Sequence, residues 1–254
     1  VSDLEAVVEA AGLTRFALLG ISQGCAYSIA YAVRHPERVS HLVLYGGFAL
    51  GPSKRPRTEA EKEAFDAMTT LMRVGWGQQN AAFRQMFTSL FMPGATKEQA
   101  DWFNELQRIS ISPEMAVRNR EVASAIDVAA LLPQVSAPTL VLHARDDALI
   151  RFELGRRMAA GIPGARFVAL PGCNHLFLET EPAFGQFLEH PGRSSPPRRL
   201  GPCVRTRTRG SSLHCLQPRW LQGGRTTVCS RRPAAAADTE RSAYRTIGIQ
   251  KERA

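Results

Sequence analysis

Residues 16–33 run for eighteen positions without a charge, and this run constrains the fold more than any other part of the chain. A stretch of that length is either a membrane span or two buried elements joined by a turn. Gly20, Ser22, Gln23, Gly24 and Ser28 interrupt it, so it divides into a strand and a helix rather than a continuous span. Residues 15–20 make a short apolar strand. Ala26, Ile29, Ala30 and Val33 then recur at i, i+3, i+4 and i+7 along a helix that stops before Pro36.

The rest of the pattern extends this unit. Ser2-Asp3-Leu4-Glu5 has the form of a capping box, with Leu4, Val7, Val8 and Ala11 as a buried stripe and Gly12 as the stop. Residues 39–45 form a second strand, apolar on both faces as in a buried parallel sheet. From 51 to 135 the pattern changes to charged amphipathic helices, punctuated by Gly75, Gly77, Pro93, Gly94 and Pro113, which predicts an inserted helical cap. Strands at 138–143 and 165–170 follow, with a helix at 152–160 closed by Gly161 between them. A last helix at 182–189 has Pro182 in its first turn. Such alternation predicts an α/β fold with a parallel sheet, its core divided into residues 1–50 and 136–190 around the cap.

Charge separates the chain into two parts. Residues 1–190 carry 18 Lys and Arg against 20 Asp and Glu, whereas residues 191–254 carry 14 against 3, so the net +9 belongs to the last quarter. There Pro, Gly, Ser and Arg replace any periodicity, which predicts a basic disordered tail. The tail can bind nucleic acid non-specifically through phosphate, but no aromatic interleaving accompanies its arginines. Arg, Pro, Ala, Gly and Ser are also what a shifted reading frame of a GC-rich gene encodes. Five cysteines without a C-x-x-C pair argue against a disulfide framework and a zinc site, leaving a reducing cytoplasm as the expected location. The sequence predicts no cofactor, no metal and no membrane contact, and it leaves the oligomeric state open.

Two strand ends and one turn gather the chemistry. Gly20-Ile21-Ser22-Gln23-Gly24 joins the first strand to its helix, a turn that pushes a serine hydroxyl into a crevice. The strand at 138–143 runs into Asp146-Asp147, and that at 165–170 runs into Cys173-Asn174-His175. In a parallel sheet these C-terminal ends share one edge, where active sites collect. A serine needs an imidazole to take its proton, and the imidazole needs a carboxylate to fix its tautomer. The assignment is Ser22 as nucleophile, His175 as general base and acid, Asp147 as orienter with Asp146 as the rival, and the backbone N–H of Gln23 as oxyanion donor. Plainer readings stand beside these: Ser22 as a small turn residue, either aspartate as a helix cap, His175 as an ordinary loop residue. His143 reads as a packed core histidine, His35 and His41 as structural or solvated, and Cys25 as a small buried hydrophobe. Met68, Met72, Trp76, Phe83, Met86, Phe87, Phe91 and Trp102 either line a substrate pocket or form the cap's own core.

Gly20-Ile21-Ser22-Gln23-Gly24, His35-Pro36-Glu37-Arg38-Val39 leading into Leu42-Val43-Leu44, the segment from Pro138 to Asp147, and Gly172-x-x-His175 together resemble the α/β-hydrolase family over about residues 1–190. More narrowly, the chain is similar to hydrolase domains attached to bacterial cyclases or helix-turn-helix regulators. The resemblance implies a serine hydrolase acting on an ester-like small molecule, with a ligand-sensing module of the same fold as the alternative. It also implies several strands and a His-Gly oxyanion loop ahead of the elbow, where only 21 residues precede Ser22. The expectation is therefore an N-terminally truncated fragment holding the second half of the sheet, its elbow strand an apolar edge and its activity impaired.

Overall fold

The computed structural model describes residues 1–80 and 82–189. The tail predicted for residues 191–254 lies outside them. Four strands, β1 (Phe16–Ile21), β2 (Val39–Tyr45), β3 (Thr139–Ala144) and β4 (Arg166–Leu170), form one parallel sheet in the order β1-β2-β3-β4. Helix α2 (Gly24–Arg34) carries the chain from β1 to β2, and α7 (Phe152–Gly161) carries it from β3 to β4. One apolar cluster joins Val8 of α1 (Ser2–Ala10), Ile29 and Tyr31 of α2, Leu42 and Leu44 of β2, and Met158 of α7. Burial of that surface, at about 25 cal/mol per Å² of apolar area, is the main force holding these helices to the sheet.

The uncharged run at 16–33 divides where the turn residues predicted, at Ser22-Gln23 between β1 and α2. No helix among the described residues is long and apolar enough to cross a membrane. Helix α2 buries a different arc from the predicted stripe: Cys25, Ser28, Tyr31 and Ala32 are buried beside Ala26 and Ile29, whereas Ala30 and Val33 are only half-buried.

Among the described residues β1 is a sheet edge, as expected. Its Leu19 and Ile21 are 45% and 40% exposed, unlike the corresponding residues of β2 and β3.

The start of the chain differs from its prediction. Helix α1 begins at Ser2 with Val1 as N-cap and no capping side chain, so the capping box does not form. Ser2 is already helical, and its hydroxyl approaches Asp3 rather than a free amide. Val8 is buried but Val7 is 63% exposed, so the helix faces the core along a narrower stripe than its apolar residues suggested.

Between β2 and β3 the chain forms α3 (Glu59–Gly75), α4 (Ala82–Phe91), α5 (Lys97–Ser110) and α6 (Pro113–Ser124), with short 3-10 turns at Pro52–Lys54 and Ala129–Gln134. Thr58 and Thr96 close true capping boxes on α3 and α5, and Ser112 caps α6, each satisfying first-turn amides. The two ends of this segment are fastened together. Leu50 and Asp127 form an antiparallel bridge, Ser53 Oγ donates to Ser124 O at 2.8 Å, and a Cβ on Gly51 would lie 2.3 Å from that same carbonyl oxygen. The final helix, α8, spans Pro182–Glu189.

Candidate active site

Ser22 follows β1 directly and has φ +55°, the only non-glycine residue with positive φ among those described. A side chain seldom adopts that conformation, and it persists only where the surroundings over-determine it. Here they do. The Ser22 amide donates to Tyr45 O at 2.9 Å, and Ser22 O accepts from Cys25 N at 3.1 Å at the start of α2. Gly20 permits the close approach of strand and helix: a Cβ there would lie 2.7 Å from Ser28 Oγ, 2.8 Å from Cys25 Cα and 2.9 Å from Gly24 O. Gly24 has no such role, since its Cβ would meet nothing within 4 Å. Only one of the two motif glycines is sterically required.

The carboxylate and imidazole arrive from the ends of β3 and β4. Asp147 Oδ1 accepts from the amides of Leu149 at 2.9 Å and Ile150 at 2.8 Å, which turns Oδ2 inward to His175 Nδ1 at 2.7 Å. Both side chains are fully buried. Asp146 is exposed, so of the two rivals it is Asp147 that meets the histidine.

Burial alone pushes the Asp147 carboxyl up. Hydrogen bonds from His143 and His175, the charge His175 can carry and the Ile150 amide outweigh burial and hold it below the ordinary carboxylate range. An ionised carboxylate can only accept, so Nδ1 of His175 carries the proton and Nε2 presents its lone pair. Nε2 is buried and has no hydrogen-bond partner. The aspartate–histidine hydrogen bond is made, and the far nitrogen of the imidazole is left unengaged.

Three features of this site did not stand out in the sequence. Gly46 (φ +59°) and Gly47 follow β2, and a Cβ on Gly46 would sit 3.1 Å from His175 Cε1, while one on Gly47 would collide with Cys25 Sγ at 2.3 Å. A glycine pair directly after a strand is the signal that was available. His143 is buried as expected, yet its Nε2 lies 2.8 Å from Ile150 O and 3.4 Å from Asp147 Oδ2, so it also braces the acid. Its position four residues before Asp147 was the clue. Finally, Phe91 O at the end of α4 accepts from the amides of His175 at 2.8 Å and Leu176 at 3.1 Å, tying the helical segment to the histidine loop.

Gln23 is the N-cap of α2, at the positive end of the helix dipole, and its side-chain amide donates to Asn119 Oδ1 of α6 at 3.1 Å. Ser22 and Gln23 open onto a cavity of about 840 Å³ beneath the helical segment. Met68, Met72, Trp76, Phe87 and Phe91 line it, five of the eight apolar residues singled out from the sequence, and the same five belong to one apolar cluster of the helical segment, so both readings hold for them. Phe83, Met86 and Trp102 do not line it. Phe83 packs on Gly75, Met86 is exposed, and Trp102 joins a separate cluster around Phe103.

A family model described as the alpha/beta hydrolase fold matches residues 1–182. The chain belongs to the α/β-hydrolase family. Among curated relatives of this α/β-hydrolase, RutD of Klebsiella pneumoniae (strain 342) is 27% identical over 180 residues, covering 68% of this chain and 64% of its own. A 2-hydroxy-6-oxononadienedioate/2-hydroxy-6-oxononatrienedioate hydrolase of Cupriavidus pinatubonensis is 28% identical over 181 residues, covering 68% of this chain and 60% of that protein. Among solved structures, an esterase from Exiguobacterium antarcticum superposes with a TM-score of 0.64 at 24% identity, over 74% of this chain and 70% of the other, a likeness of fold. The chain thus spans under two thirds of the length of the curated relatives it matches.

The remaining candidates of this α/β-hydrolase fall on the structural side. Cys25 is fully buried, its thiol pushed up to about 12 by that burial, with Sγ directed at Gly20 O at 3.2 Å. It is a packing residue. His35 Nε2 lies 2.7 Å from Glu5 Oε1 and its ring packs on Tyr31, while His41 is exposed.

Proposed function

We propose that the chain carries a serine hydrolase site in which Ser22 is the nucleophile, His175 the general base and then acid, and Asp147 the orienter. The observation that carries this reading is the buried 2.7 Å bond from His175 Nδ1 to Asp147, which leaves Nε2 without a partner, while Ser22, held at positive φ, packs with His175 around the consecutive glycines Gly46 and Gly47. As Ser22 Oγ attacks a carbonyl carbon, its proton passes to His175 Nε2, and the imidazolium formed is stabilised by Asp147. The oxygen that gains charge is met by the Gln23 amide at the N-terminus of α2. Collapse of the tetrahedral species expels the leaving group, which takes the proton back from His175. Water, deprotonated by the same nitrogen, then releases the acid and restores Ser22. Catalytic hydrogen bonds of the histidine–serine kind often tighten only with substrate in place.

Residues 51–135 act in this reading as a cap that covers Ser22 and lends the cavity its apolar wall. The substrate is an ester-like small molecule with an apolar portion. A reducing cytoplasm, the location expected from five cysteines without a C-x-x-C pair, suits this reading. Turnover of p-nitrophenyl esters tests the reading: Ser22→Ala and His175→Ala each abolish it. Turnover that survives Ser22→Ala would place the nucleophile elsewhere.

A further inference from the structure

The cavity over Ser22 is lined mostly by apolar side chains, with Ser22, Gln23, Asn119 and Ser124 as neutral polar ones, and its one charged wall is almost wholly cationic. Arg55, Arg57, Arg120 and Arg151 line it, with Glu61 as the one carboxylate among the lining residues. Glu61 is already engaged: Arg151 pairs with it at 3.1 Å, and its Oε2 accepts from Thr58 N at 2.9 Å in the cap of α3. Among the described residues, three guanidinium groups therefore face the cavity without a carboxylate of their own.

Their placement is specific. The ring of Phe65 holds two of them, with the guanidinium carbon of Arg120 at 4.2 Å from its centroid and that of Arg57 at 5.3 Å. Arg120 Nε donates to Thr69 Oγ1 at 3.2 Å, which fixes its fork. Arg55 Nε and Arg57 Nη1 are buried and meet no acceptor among the described residues. Burial lowers the pKa of Arg55 and of Arg120. At Arg55, neighbouring Arg151 and Arg57 lower it further, against Glu61. Like charges gathered in a partly dry wall repel one another, and a buried N–H without an acceptor is itself unfavourable. Solvent-facing arginines on a helix surface have neither property.

We propose that this wall is a carboxylate-binding subsite, so that the cavity takes molecules with an apolar middle and a free carboxylate remote from the ester-like bond presented to Ser22. A planar carboxylate matches the guanidinium fork, accepting paired N–H bonds from Arg57 or Arg120 while Arg55 adds charge. Met68, Met72 and Trp76 line the same cavity and offer an apolar surface to the chain joining the two ends. The substrate statement rests on the hydrolase reading above, whereas the subsite does not.

The test uses the full chain carrying Ser22→Ala, so that binding is read without turnover, and titrates it calorimetrically with monomethyl adipate and with dimethyl adipate. The two ligands differ only in whether one end is a carboxylate. Monomethyl adipate binds roughly ten- to a hundredfold more tightly, the range expected for charge-assisted hydrogen bonds. Adding Arg57→Gln with Arg120→Gln removes that preference, and Arg55→Gln alone reduces it. Thermal melting confirms that the variants are folded. Equal affinity for the two ligands, no detectable binding of monomethyl adipate at millimolar concentration, or a preference unchanged in the double arginine variant overturns the proposal. If the preference holds while the wild-type chain turns over no ester, the hydrolase reading fails and the subsite stands. If ester turnover depends on Ser22 but no preference is found, the reverse is true.

Discussion

Gly20→Ala and Gly24→Ala, symmetric in the sequence about Ser22, should have opposite effects. A Cβ on Gly20 would lie 2.8 Å from Cys25 Cα and 2.9 Å from Gly24 O, both backbone atoms, besides Ser28 Oγ at 2.7 Å. The hydroxyl can rotate away, but the two backbone contacts yield only if α2 moves off β1. Overpacking of that kind costs about 1–3 kcal/mol. For a domain of this size each kcal/mol lowers Tm by about 2–4 °C. A Cβ on Gly24 meets nothing within 4 Å, and Gly24 is the first residue of α2 with no positive φ. Replacing a helical glycine by alanine there stabilises by up to about 1 kcal/mol. Thermal and urea unfolding of both variants measures the difference, and ester turnover reports whether the elbow has shifted. Gly20→Ala should lose both stability and turnover because the displaced helix carries Gln23 and bears on Ser22. A neutral Gly20→Ala, or a destabilising Gly24→Ala, would refute the close-packing account of the elbow.

Other consequences can be measured on the same protein. Asp147→Asn should reduce kcat roughly 10⁴-fold, because an amide no longer fixes the His175 tautomer, while Asp146→Asn, on an exposed side chain, changes it by no more than about twofold. Since the folded protein holds the Asp147 carboxyl below its ordinary value of 3.8, the stability it contributes is present above that pH and is lost as pH falls beneath it. The gap in Tm between wild type and Asp147→Asn should therefore be full at neutral pH and narrow below about pH 4, and a gap that widens in acid would reverse the sign. Peptide mapping after N-ethylmaleimide treatment of the native protein should find Cys25 unmodified and the partly exposed Cys173 modified, as the burial of the two thiols requires.

The sheet was legible because its strands are short, apolar and bounded by turn residues. β2 falls at residues 39–45 and α8 at 182–189, as their patterns predicted, and β1, β3 and β4 differ by a single residue at one or both ends. The first helix was less legible. Its apolar residues offered several buried stripes, and packing selected Val8 while leaving Val7 in solvent. The motif marked Ser22 and its family of partners, but two adjacent aspartates are equivalent on paper. What separates them is the turn in which Asp147 takes the amides of Leu149 and Ile150, a three-dimensional fact. The arginine wall was invisible for the same reason: Arg55, Arg57, Arg120 and Arg151 are scattered through the chain with no common spacing, and only the folding of the helical segment brings them to one cavity.

The most direct measurement of the central claim is the site of covalent capture. Treated with a fluorophosphonate and digested, the protein should yield one adduct, located by tandem mass spectrometry on Ser22. His175→Ala should slow its formation by orders of magnitude, since the hydroxyl then keeps its proton. An adduct on another residue, or labelling of Ser22 at the same rate without His175, would contradict the account.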